Sequence, residues 1–422
     1  MIAIFAAVAM HWLVLNDIHL NPYDRRQHVP YAQDTNPWLF HQALEQMHRT
    51  DPDARVIVLG GDLLAHHFPA LARDARENPY TAARSTVRSI AQQLNAAFPK
   101  AQVLLAIGNN DDPCGDYHSE TGGPYAADIA AMFEPLVNRG GASPHFVRDY
   151  VRGGYYTAML PNGMRAVVLN SVLWSFVYRG PCQTHGRHAP ADEMTWAASE
   201  LSAGSNVVVM HMPLGFDPQS TTYTHRIVAV PFLSEYYDRR LRAILARDRS
   251  HVAFAVVGHT HRYDFRVPGG VPMLVASSLS PVYRNSPAFY ELDVDERGLR
   301  DVVPFTFDRS ESGWTREPSF DALYGTSAFD AAQLAQLHDR ISSDPAVRER
   351  WIEAYDAWSW RVGDVSDHRW QTFACAQTAF GKAYGACAGT TKRSYVALVA
   401  LVIAVIGVLL AVFTTLRLRR RR

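Results

Sequence analysis

Asp17-Ile18-His19, Gly61-Asp62, Gly108-Asn109-Asn110-Asp111, His211 and Gly258-His259-Thr260-His261 each follow a short apolar run in this chain of 422 residues. Carboxylates, imidazoles and an asparagine amide form a donor set that suits divalent metals of the zinc, iron or manganese kind. A carboxylate shared by two such ions about 3.5–4 Å apart, with a hydroxide between them, can clamp an in-line displacement at phosphorus. Taken singly, each piece has an ordinary explanation. Asp17 suits an Asx turn, Asp62 a helix cap, 108–111 a plain turn, and His211 a satisfied core histidine. The two histidines flanking Thr260 are the least easily explained as structure, and the ordered set at strand ends outweighs the separate explanations.

The elements that must position these groups are legible as runs of apolar, β-branched residues. Residues 12–15, 55–59, 102–107, 206–210 and 252–257 read as buried strands bounded by Gly and Asn. Ligands of open α/β sheets bind beyond the carboxyl ends of the strands, so all five clusters are expected on one rim of one sheet. Alternation along an extended segment would put Asp17 with His19, and His259 with His261, on a common face. Asn36-Pro37 opens a helix through residue 48. Further helices are expected over 80–98, 191–203 (closing on Gly204) and 234–247. Strands at 272–276 and 288–294 come without intervening helices and suggest a second sheet. Beyond residue 307, the segments 319–324, 328–341 and 344–360 carry helical periodicity, with Trp351, Trp358 and Trp360 as core. The small-residue-rich stretch 372–391 reads as a tether, and no internal repeat is visible.

Lys plus Arg equals Asp plus Glu at 41 each, a balance that points away from a nucleic-acid partner. With 48% apolar and 19% charged residues, wholesale disorder is excluded, and the length allows about two or three domains. Residues 1–10 end their apolar stretch in Ala7-Val8-Ala9, which fits signal cleavage, although the charged n-region is missing. A strand extension or a misassigned start remains open. Residues 395–416 are almost wholly apolar and long enough to cross a bilayer. Arginines dominate 417–422, against Lys392 and Arg393 before the span, so the positive-inside rule puts the C-terminus in the cytoplasm and the rest outside. A polybasic end disfavours a GPI signal. Such a compartment permits two disulfides among the four cysteines, in three connectivities, with Cys114–Cys182 and Cys375–Cys387 favoured.

The ordered set Asp-X-His, Gly-Asp, Gly-Asn-X-Asp, isolated His and Gly-His-X-His resembles the calcineurin-like metallophosphoesterases over residues 11–305. Within them the chain is more similar to the acid-sphingomyelinase-like phosphodiesterases and endopolyphosphatases. That similarity rests on Gly61-Asp62-Leu63-Leu64-Ala65-His66, His211-Met-Pro213-Leu-Gly215, Ser278-Leu-Ser-Pro281-Val-Tyr283 with Asn285-Ser-Pro287, and a Cys-bearing helical C-terminal region. The resemblance implies that Asp17, His19 and His261 hold one metal and that Asn109, His211 and His259 hold the other, with Asp62 bridging. It also implies that His66 stands near the leaving group, where a positioned histidine can give a proton. Most relatives carry His where this chain has Asn110; an amide can donate a hydrogen bond to a phosphoryl oxygen but supplies no proton.

The expected architecture is therefore an α/β, four-layer α-β-β-α metallophosphoesterase sandwich. Its parts are a possible signal peptide (1–10), a catalytic domain (11–305), a helical C-terminal region and tether (306–390), a transmembrane helix (395–416) and a cytoplasmic basic tail (417–422). The expected function is a membrane-anchored, extracytoplasmic, dinuclear-metal phosphodiesterase. Its cofactors would be two divalent ions, zinc first, with manganese or iron also fitting. Its partners would be a phosphoester substrate and the lipid bilayer. The Gly-Asn-Asn-Asp string, shared with the endopolyphosphatases, raises a phosphatase acting on polyphosphate, nucleotides or phosphomonoesters as the alternative. A metal-containing binding domain without turnover is a third reading.

Overall fold

Two six-stranded sheets carry the chain, and both mix parallel and antiparallel pairing. The computed structural model describes residues 10–182, 189–308, 313–359, 365 and 369–390. Residues 1–9 of the expected signal segment, the expected membrane helix 395–416 and the basic tail lie outside them. Among the described residues no helix is long and apolar enough to cross a membrane.

The strands are β1 (Met10–Leu15), β2 (Val56–Leu59), β3 (Gln102–Leu105), β4 (Tyr156–Met159), β5 (Arg165–Val168), β6 (Asn206–Val209), β7 (Phe216–Asp217), β8 (Val230–Pro231), β9 (Val252–Val257), β10 (Asp264–Arg266), β11 (Met273–Val275), β12 (Ala288–Asp295), β13 (Gly298–Asp308) and β14 (Gly313–Arg316). The first sheet runs β14-β13-β12-β1-β2-β3 and the second β10-β11-β9-β6-β5-β4, while β7 and β8 form a small separate hairpin. The five clusters thus lie on two sheets, not one: β1, β2 and β3 are parallel neighbours in the first, β6 and β9 in the second. Each apolar run specifies a strand, but the partner of that strand is chosen by contacts far away in sequence. β12, expected in a second sheet, instead crosses back to pair antiparallel with β1.

Side-chain alternation stacks the layers. Val207, Val209, Phe254 and Val256 join the core shared with the first sheet, where Trp12 and Phe254 have ring centroids 5.6 Å apart. Their neighbours Val208, Ala255 and Val257 face the other way, into a cluster with Met194, Leu241 and Leu245 of the helices Ala189–Glu200 and Glu235–Arg247. Phe40, Ile90 and Leu94, on the helices Pro37–Thr50 and Pro79–Ala97, belong to the core of the first sheet. Asn36 caps the first of these through Leu39 N at 2.9 Å, as its sequence predicts. The helix expected over 191–203 stops at Glu200, before Gly204.

The first sheet continues through Arg316, beyond residue 305. Helices Phe320–Tyr324, Ala331–Ser343 and Pro345–Tyr355 follow, capped by Ser319, Asp330 and Asp344. Trp351 is buried; Trp360 lies outside the described residues. The stretch read as a tether is instead two helices, Trp370–Thr378 and Lys382–Cys387, joined by the Cys375–Cys387 disulfide. Cys114 and Cys182 form the second disulfide. Small residues mislead here because Ala374, Cys375 and Ala376 are buried rather than solvated. Asp264 of β10 accepts from Trp351 Nε1 at 3.2 Å and Gln377 Nε2 at 2.9 Å, fastening these helices to the second sheet.

A buried acid supports the end of β5. Glu193 Oε1 accepts from Asn170 N at 2.6 Å, and the adjacent Ser171 Oγ accepts from the N–H of Met212, next to His211. Burial pushes the Glu193 carboxyl well above its usual 4.5, against the Asn170 hydrogen bond. A raised folded-state pKa favours folding below the unfolded value, and that advantage is lost as pH rises beyond it. Stability should therefore fall from about pH 5 upward by as much as ~1.4 kcal/mol per pH unit while this group stays protonated. Glu193→Gln should flatten that decline in denaturant titrations between pH 5 and 8; an unchanged slope would refute the assignment.

Candidate metal centre

Asp62 occupies the meeting point of the two sheets, almost fully buried. Its Oδ2 lies 3.3 Å from His19 Nε2 and 3.3 Å from His211 Nε2. On the first side, His261 Nε2 is 3.1 Å from His19 Nε2 and 3.4 Å from Asp17 Oδ1. On the other, His211 Nε2 is 3.1 Å from Asn109 Oδ1 and 3.2 Å from His259 Nδ1. All seven residues expected as ligands thus converge, and they divide into the expected sets around Asp62. Asp17, His19 and His261 form one group able to hold a metal, and Asp62, His211 and His259 another.

The donor chemistry fits cations. His19 Nδ1 lies 3.1 Å from Leu64 O and His211 Nδ1 2.8 Å from Gly60 O. Donation at Nδ1 directs both Nε2 atoms toward Asp62, the arrangement of metal-ligating histidines with a backbone partner. Burial, with the charge of neighbouring histidines, holds His259 down to about 3 and His19 to about 4, so both imidazoles are neutral, as ligands must be. Burial also raises Asp17 to about 7. His211 is the exception: burial opposes its charge, yet Asp62 beside it lifts it to about 9. A cluster so rich in acceptors draws positive charge, as a proton or as a metal.

The local backbone departs from the strand alternation expected for these residues. Asp17, His19, Asp62, His259 and His261 all have left-handed φ, between 44° and 70°, a conformation costing of order 1–3 kcal/mol for a non-glycine residue. β1 ends at Leu15 and β9 at Val257, so these side chains converge from tight turns beyond the strands. Close approach explains two neighbouring glycines. A Cβ at Gly258 would stand 2.4 Å from Asp17 Oδ2, and one at Gly108 only 2.1 Å from Asp62 N.

Three residues at the centre carried no assigned role in the sequence reading. Asp111 accepts from the N–H groups of Asp62 (3.0 Å), Leu63 (2.6 Å), Leu64 (3.3 Å) and Gly108 (2.8 Å), binding the turn after β2 to the turn after β3. Its place in the Gly-Asn-Asn-Asp string was the available signal. Asp116 Oδ1 accepts from Asn109 Nδ2 at 2.9 Å, which leaves Asn109 Oδ1 facing His211. Asp34 lies 2.8 Å from His66 Nδ1 and accepts from His66 N at 2.8 Å. Neither Asp116 nor Asp34 had any signal beyond residue type.

His66 stacks on His19 at 4.0 Å, with Nε2 3.3 Å from the Tyr283 hydroxyl. Burial pulls its pKa down, but the hydrogen bond and charge of Asp34 outweigh that and raise it above the ordinary histidine value. His67 turns outward and is exposed. Asn110 lies at the centre, with N donating to Asp62 Oδ1 at 2.7 Å and Nδ2 to Asp62 Oδ2 at 2.9 Å. Beside His259 opens a cleft of about 260 Å³ lined by Tyr117, Asp217, Phe232, Arg262, Tyr283 and Tyr355, among others. Arg262, buried, pairs with Asp356 at 2.8 Å and donates to His261 O at 3.1 Å, so the C-terminal region braces the turn carrying both histidines.

Residues 10–263 match the Calcineurin-like phosphoesterase family, and the chain belongs to that family. It is a phosphoric ester hydrolase of a family that uses divalent metal ions. Sphingomyelinase phosphodiesterase D of Dictyostelium discoideum is 23% identical over 343 residues, 75% of this chain and 72% of that protein. Cyclic GMP-AMP phosphodiesterase SMPDL3A of Mus musculus is 25% identical over 387 residues, 80% of this chain and 81% of that protein. A dimetal phosphatase from Danio rerio superposes with a TM-score of 0.45 at 14% identity, covering 73% of this chain and 98% of that one.

Removing the Asp111 carboxylate strands buried N–H groups at about 1–3 kcal/mol each before relaxation. Asp111→Ala should cost roughly 2–4 kcal/mol of stability and lower metal content per chain, read by denaturant unfolding and elemental analysis. Parent-like values in both would refute its positioning role.

Proposed function

We propose that this chain is a membrane-anchored, extracytoplasmic phosphodiesterase of sphingomyelinase-like type with a dinuclear metal centre. The observation that carries this reading is Asp62 Oδ2, equidistant at 3.3 Å from His19 and His211. Asp17, His19 and His261 would hold one ion and Asn109, His211 and His259 the other, with Asp62 placed between the two sets. Divalent ions bound there, zinc first on this donor set, would supply a nucleophilic hydroxide at neutral pH and would neutralise charge on the phosphoryl oxygens. His66, oriented by Asp34, would give the proton at Nε2 to the departing oxygen. Asn110 fixes the bridging carboxylate through its two N–H donors and presents a donor, but no proton, to the phosphoryl group.

The apolar span 395–416 with its arginine-rich flank supports the anchor, a cytoplasmic C-terminus and a catalytic unit on the other side. Two disulfides agree with an oxidising compartment. The N-terminal segment is read as a cleaved signal. A specific observation keeps a second reading: Asn110 stands where an acid is usual, so leaving groups that need no proton, as in phosphoanhydrides of polyphosphate or nucleotides, remain competitive substrates.

Asp62→Ala should abolish hydrolysis of a nitrophenyl phosphodiester and empty both metal positions together, measured by turnover and elemental analysis on one preparation. Full turnover in that variant would refute the site. Parent enzyme assayed on sphingomyelin, the nitrophenyl diester, nucleoside triphosphate and polyphosphate should favour the diesters. A preference for polyphosphate would move the assignment to the second reading.

A further inference from the structure

Among the described residues, seven large apolar side chains are exposed, and six lie on segments in or near the cleft wall: Tyr223 and Tyr283 line it, Val228 and Tyr236 flank the lining residue Phe232 in sequence, and Phe176, with Val177 next to it, is joined to Phe232 by its backbone. These segments follow the carboxyl ends of β5, β6 and β11, which run parallel to β9 in the second sheet or are joined to it through parallel neighbours. All six therefore rise from the edge that holds His211 and His259. Phe176 N donates to Phe232 O at 3.1 Å, and the Phe232 ring stands edge-on to His259 at 5.4 Å. The seventh, Met159, pairs with Arg165 at the start of β5, on the opposite edge.

Charge follows the same pattern. Exposed arginines lie close behind four of these positions: Arg179 after Phe176, Arg226 after Tyr223, Arg239 after Tyr236, and Arg284 after Tyr283. Glu235 is the exposed acid among residues 175–180, 223–240 and 282–284. Aromatic and aliphatic tips interleaved with arginines are the signature of surfaces that enter the headgroup layer of anionic membranes.

The path of the chain orients this surface. Tyr384 stacks on Phe216 of β7 at 4.5 Å, and Ala388 belongs to the cluster packed against Phe216 and Ala229, the neighbour of exposed Val228. The last described residue, Thr390, is held by Gly385 O at 2.8 Å. From there to Tyr395, where the apolar span begins, the chain reaches at most about 18 Å when fully extended. The described chain thus ends beside the β7–β8 hairpin, whose Asp217 lines the cleft.

We infer that the rim of the catalytic cleft docks on the anionic lipid surface of the bilayer that carries the chain's own anchor, so that the cleft opens onto the headgroup layer. This rests on the membrane anchor proposed above. All four cysteines are in disulfides, so an added one can be labelled selectively. Full-length Phe176→Cys bearing nitrobenzoxadiazole, in phosphatidylcholine–phosphatidylserine vesicles, should show blue-shifted emission roughly twofold or more brighter than in detergent. Met159→Cys bearing the same label should not change. Arg226→Glu with Arg239→Glu should weaken the Phe176 response, and turnover of a soluble nitrophenyl diester within about twofold of the parent would report an intact fold. A labelled chain that floats with vesicles and resists carbonate extraction, yet stays unshifted, overturns the docking and leaves the anchor standing. A chain that does not float overturns both.

Discussion

A buried carboxylate set between two buried imidazoles is costly to assemble, and the rest of this fold follows from making Asp62 tolerable. Its oxygens are met by donors from Asn110 and by histidines from both sheets. No single sheet could enclose it so. Parallel strands of one sheet deliver Asp17, His19, Asp62 and Asn109, while parallel strands of the other deliver His211, His259 and His261. The face-to-face packing that joins Trp12 to Phe254 therefore decides whether the site exists at all.

Holding five of these residues in left-handed backbone requires clamps, and the clamps are polar side chains buried where apolar ones would pack more easily. Asn16 Nδ2 reaches Val257 O across the two sheets, while Asp17 accepts from the N–H of His259. Asp111 gathers four N–H groups from the turns after β2 and β3. Such groups fix geometry ahead of ligand binding, so the cost of ordering the centre is met during folding. The C-terminal helices extend this bracing through Arg262 and Asp356.

Much of this was legible in the chain. The five apolar runs are strands, the ends of those strands carry the seven residues expected as ligands, and Asn36 caps the helix it was expected to open. Three things were not. Sheet membership depends on pairing across hundreds of residues, so β12 beside β1 leaves no local trace. The αL turns are invisible because Asp and His show no preference strong enough to announce them, and alternation suggested the right convergence for the wrong reason. Asp34 and Asp116 act through distance alone. Segment 372–390 misled in another way, since alanine and cysteine look like linker residues until a disulfide and Tyr384 bury them.

The connectivity of the clamp between Asn16 and Val257 also bears on how the protein comes into being. The two residues lie 241 positions apart, and β1 can find β12 only after most of the catalytic region has left the ribosome. Until then β1 is an apolar strand with one natural edge unpaired, the condition in which chains aggregate or misassociate. Contacts of such long range slow folding. The centre can therefore close only once its first strand has met a partner from far along the chain.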